Sequence, residues 1–171
     1  MKPLSIITLL LGLAMHSFAQ EDAIQKYFAK YADDSRFTSV YISNAMFNMF
    51  SIVDDQAENK ELMDILSKLG GLRILSSDNT DGGKMYAEAH GLLVTRGFQD
   101  LMSVKEKGKS EFKFLIREVN GKVRELLMLS GKNREFFMLS LVGDIDLKKI
   151  SKLSKSLDIE GIDELDKLNK K

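Results

Sequence analysis

The chain has 171 residues, 44% of them hydrophobic, with 25 Lys and Arg balanced by 25 Asp and Glu and no cysteine. That is enough apolar material for one ordinary domain, held by packing and not by disulfides. The balanced charge gives no electrostatic reason to bind nucleic acid or an anionic membrane, and two histidines without a thiol leave little from which to build a zinc site.

Residues 1–19 read as a signal peptide. Lys2 supplies the positive start, Leu4 to Ala14 form an apolar run too short to span a bilayer comfortably, and Ser17-Phe18-Ala19 places small residues around a cleavage point after Ala19. Removing this segment leaves 24 basic against 25 acidic residues, a net charge of about −1. The expectation is an exported protein, periplasmic or secreted and soluble, with no integral membrane segment after cleavage. Without a cysteine it has no site for N-terminal lipidation.

The mature chain opens on an amphipathic helix over Glu21 to Tyr31, with Ile24, Tyr27, Phe28 and Tyr31 on one face. Phe37 to Ile42, rich in β-branched and aromatic residues, reads as a strand. Ser43 caps a short apolar helix over Asn44 to Phe50, where Met46 and Phe50 form one wall of a candidate apolar groove. A second helix is expected over Asn59 to Leu69, stopped by Gly70-Gly71 in the left-handed C′ position. A short strand follows at Leu72 to Leu75. The polar loop Ser76 to Gly83 leads to a helix ending at Gly97, with Asp81 or Thr80 as its cap.

From Phe98 to Gly143 the pattern changes to four strands. Phe98 to Lys105 is followed by a turn at Lys107-Gly108-Lys109 and then by three apolar runs within Phe112 to Gly143. Asn120-Gly121 predicts a type I′ hairpin, because both positions tolerate positive φ. Gly131-Lys132-Asn133 predicts the next turn. Phe112, Phe114 and Ile116 alternate with the residues between them. Leu126 to Leu129 and Phe136 to Leu139 are continuous, and a strand apolar on both sides needs cover on both sides. The cover is supplied either by the terminal helices or by a partner or ligand. Leu115, Leu126 and Met128 are the candidate surface if it is a partner. Asp146 caps a last helix marked by Leu147, Ile150, Leu153 and Leu157. A weaker amphipathic tail runs from Asp158 to Lys171.

The order predicts an α+β domain over residues 20–157 and a tail over 158–171. Its sheet is mixed but mainly antiparallel, with a C-terminal four-strand meander and helices mostly on one face.

No catalytic constellation emerges. His90 is the only histidine beyond the signal segment and sits at the edge of its helix's apolar stripe. No G-x-S-x-G elbow accompanies it. Asp78 to Gly83 lacks the ligand spacing and final glutamate of an EF-hand loop, and Gly108-Lys109-Ser110 joins two strands where a Walker loop would open a helix. Adjacent acids such as Asp33-Asp34 and Asp54-Asp55 are ordinary loop residues. No catalytic, metal-binding or cofactor-binding residue is assigned, and no cofactor is expected.

Phe37-Thr38-Ser39-Val40-Tyr41-Ile42-Ser43 followed by Ala45-Met46-Phe47 resembles the opening of the domain of unknown function 4252 family. These are small exported proteins, mainly from Bacteroidetes. Leu72 to Asp78, Gly97-Phe98 and Gly143 to Leu147 are similar to the family in order and spacing. The resemblance implies export and a single domain, and it implies no activity. The functional expectation is a non-catalytic binding or protein-interaction module, acting on an unknown protein partner or by self-association. The alternative is a carrier of an apolar small ligand, and a carboxylate-based hydrolase ranks below both.

Overall fold

The structure, a computed structural model, describes residues 21–53, 60–105 and 111–150. The signal segment, the whole tail over 158–171, Leu153 and Leu157 of the expected last helix, and the expected turn at Lys107-Gly108-Lys109 lie outside them. The described elements are α1 (Glu21–Ala32), β1 (Thr38–Ser43), α2 (Asn44–Val53), α3 (Lys60–Ser67), β2 (Leu69–Ser77), α4 (Gly82–Thr95), β3 (Gln99–Lys105), β4 (Glu111–Val119), β5 (Lys122–Lys132) and β6 (Glu135–Ile145).

Six strands form one sheet in the order β1-β2-β6-β5-β4-β3. The C-terminal meander is as expected, running β3 to β6 with consecutive neighbours. All five pairings are antiparallel, so the sheet is not mixed. Early β2 pairs with late β6, and β1 closes the far side.

Two core clusters occupy opposite faces, which follows from the two-residue side-chain period. On face one, Leu115, Leu127, Leu129, Phe136 and Met138 pack with Ile24, Tyr27, Phe28 and Tyr31 of α1 and with Met85, Ala89 and Leu93 of α4. On face two, Phe114, Leu126, Met128, Leu139 and Leu141 join a cluster with Phe47 of α2, Ile65 of α3, and Ile150. The expected one-sided arrangement of helices therefore becomes two-sided. The continuous apolar runs of β5 and β6 supply side chains to both faces at once.

Local chemistry sets the joints. Asn120 and Gly121 take φ values of 54° and 72°, the geometry of the expected hairpin. The next turn sits two residues later than expected. Gly131 and Lys132 remain in β5, and the positive φ of 54° falls on Asn133. Gly131 is needed for a different reason, because a Cβ there would strike the backbone of Gly82 at the start of α4. Ser43 Oγ accepts from the Met46 amide, and Asp81 accepts from the Lys84 amide, so both act as helix caps. Asp146 accepts from the Lys148 and Lys149 amides in the same way.

Gly70-Gly71 does not end a helix in the left-handed conformation. Both glycines lie inside β2, at a register shift between Leu69 and Gly71. Glycine marks helix ends and strand bulges alike.

Candidate interaction surface

The five residues singled out from sequence do not come together. Leu115 is fully buried on face one, while Leu126 and Met128 are buried on face two. These three are core residues of opposite layers. Met46 is on α2 and 41% exposed. Phe50 lies on the same helix, and its side chain lies outside the described residues. A cavity of about 210 Å³ between α3 and the end of β6 is lined by Ile65, Lys68, Leu69 and Asp144 to Asp146, among others, and Met46 does not line it.

The exposed apolar side chains gather elsewhere. Val40 is 38% and Tyr41 62% exposed on β1, and Met46 and Met49 are exposed on α2, which packs against β1 and β2. β1 is an edge strand. Its sequence, Thr-Ser-Val-Tyr-Ile-Ser, contains no charge and no proline. Its pairing with β2 runs from Thr38↔Ser76 to Ser43↔Gly71 without a register shift. One side of its backbone is therefore a straight row of donors and acceptors that no described strand occupies.

The opposite edge is finished differently. β3 carries Asp100 and Lys105 and has a register shift between Asp100 and Met102. The Asp100 carboxylate accepts from Lys113 Nζ at 2.8 Å and lies 3.4 Å from His90 Nε2. The Lys113 hydrogen bond, with a smaller contribution from His90, holds the Asp100 carboxyl below its ordinary range. His90 stacks on Tyr86 of its own helix at 5.8 Å, and its contact with Asp100 joins α4 to this edge. Ser103 adds a hydrogen bond to Glu111 on β4.

Two further groups of charges act within the fold. Glu125 is buried on face one and paired with Arg117, whose guanidinium lies 6.0 Å from the Phe98 ring. Asp64 accepts from Lys68 and Lys149, which hold its carboxyl down to about 2 and tie α3 to the start of the last helix. No group of three or more His, Cys, Asp or Glu side chains suited to a metal ion occurs among the described residues. No helix among them is long and apolar enough to cross a membrane.

The described chain is thus an α+β protein with one antiparallel sheet between two helical layers, and four of its six exposed large apolar side chains, Val40, Tyr41, Met46 and Met49, lie at or beside the β1 edge, the other two being Val94 on α4 and Val119 at the end of β4. Residues 31–153 match the model of the family described as domain of unknown function (DUF4252). The match spans more than half of the chain, and the protein belongs to that family. No curated protein and no solved structure matches it significantly.

Proposed function

We propose that this is an exported, non-catalytic interaction module that associates with a second copy of itself by adding strand to strand at the β1 edge. The observation that carries the reading is the uncharged, unbroken β1 edge beside exposed Val40, Tyr41, Met46 and Met49. A bare edge of this kind templates strand addition unless something covers it.

A second copy fits because the edge is complementary to itself. In an antiparallel pairing about a two-fold axis through Val40, Val40 faces its copy and Thr38 faces Ile42 on one side of the sheet. Ser39 faces Tyr41 on the other. No like charges meet, and the two sheets become one of twelve strands. The strand edge alone is a small contact, and Met46 and Met49 add apolar area beside it. Export is supported by the N-terminal pattern of residues 1–19.

The test is sedimentation of the purified chain, expressed with residues 1–19 in place, beside a Val40→Lys variant. The reading expects a wild-type dimer whose mass begins at Gln20 and a monomeric variant. A wild-type monomer at every concentration would overturn the association, and an intact residue 1 would overturn the processing.

A further inference from the structure

The register of the strands lays one continuous row of residues across face one. It runs Tyr41, Arg73, Ser140, Leu127, Leu115 and Asp100, each paired with the next on the neighbouring strand. The row beside it contains Gly71, Val142, Glu125 and Arg117. Where α1 crosses these rows, Ile24 and Gln25 roof a cavity of about 100 Å³ whose walls include Gly71, Arg73, Glu125 and Ser140.

Two polar groups in this cavity lack partners. The Ser140 hydroxyl is fully buried and makes no hydrogen bond. An unmet hydroxyl is costly in a folded interior, so the group calls for a partner that the chain itself does not supply. Arg73 is half-buried and, among the described residues, has no acidic partner. Its guanidinium lies over the Tyr41 ring, 4.8 Å from the centroid, which restricts its plane while leaving its N–H donors uncommitted.

Charge and size choose between ligands. Among the described residues Glu125 is the one acid on the cavity wall, and its carboxylate is paired with Arg117. The charge left over among the described residues is the positive charge of Arg73. The volume holds about three water-sized groups, enough for a carboxylate and its attached carbon.

We propose that this cavity is a binding site for a small carboxylate. Arg73 donates to the carboxylate oxygens as a planar fork, and the Ser140 hydroxyl donates to one of them. The carboxylate belongs either to a free small acid or to the end of a longer chain leaving past Gln25. The inference does not depend on association through β1.

The experiment is an NMR titration of the ¹⁵N-labelled chain with sodium acetate, against sodium chloride at equal ionic strength and pH 7. The Arg73 Nε–Hε and Ser140 amide signals report the site. Expected are saturable shifts of these signals with acetate alone, abolished by Arg73→Gln and weakened about tenfold or more by Ser140→Ala. Ser140→Ala removes an unsatisfied group, so it keeps the fold and its effect is not unfolding. A blocked dipeptide with a free carboxylate is the second probe. Tighter binding than acetate identifies a chain end, and weaker binding a free acid. Equal responses to acetate and chloride, or unchanged acetate binding by Ser140→Ala, would overturn the site and leave a cavity for water.

Discussion

At one edge of the sheet, β3 carries Asp100 and Lys105, a register shift, and a carboxylate held by Lys113 and His90. At the other, β1 carries six uncharged residues in an unbroken register. Both strands end the same sheet, and no described strand pairs with the outer side of either. Charges and bulges are the usual means of keeping an edge unpaired. Their presence on β3 and absence from β1 teaches that the two edges are finished differently, and the unguarded side is where four of the six exposed large apolar residues lie.

The largest expected effect breaks this difference at β1. In the pairing proposed above, Val40→Lys sets two ammonium groups opposite each other. Like charges facing across a contact cost several kcal/mol, so dimer affinity falls more than a hundredfold by sedimentation. The reciprocal change strips β3 of its guards. Asp100→Ser with Lys105→Thr is expected to add a second, weaker association step, read as species larger than a dimer. The bulge stays in place and keeps that step weaker than the β1 contact.

A smaller effect lies on the row that joins the two edges. Ser140→Ala relieves a buried hydroxyl without a partner, and the ligand-free protein gains about 1 kcal/mol in urea unfolding. A loss of stability would mean that Ser140 has a partner in the free protein.

The smallest effect is one of pH. Asp100 has a folded pKa below its unfolded value. Its contribution is therefore present above the ordinary carboxylate range and fades as pH falls through the folded pKa. The β3 edge is expected to loosen only in acid, seen as faster exchange of β3 amides after correction for intrinsic rates. β1 carries no carboxylate and no histidine, so its pairing has no matching step.

Much of this fold was legible in the sequence, and the physical reasons are specific. Ile24, Tyr27, Phe28 and Tyr31 declared the buried face of α1 through their spacing, and Asn120-Gly121 declared its turn through positive φ. Ser43, Asp81 and Asp146 declared their caps. Gly70-Gly71 misled because glycine serves a helix end and a strand bulge equally well, and only the pairing of β2 with β6 decides between them. Leu115, Leu126 and Met128 misled in another way. An apolar run shows that cover is needed on both faces and does not show which part of the chain provides it. The surface at β1 was half legible. Met46 carried a local signal, while the edge position of Val40 and Tyr41 depends on strand order. Arg73 and Ser140 were not legible at all, since 67 residues separate them and only sheet register sets them side by side.

Amide hydrogen exchange of the purified chain at low and high protein concentration tests the central claim most directly, because it reads both edges in one experiment. The account predicts that alternate amides of Thr38 to Ser43 gain protection as concentration rises, while those of Gln99 to Lys105 do not change. Exchange at β1 that is independent of concentration, or a gain at β3 instead, would contradict it.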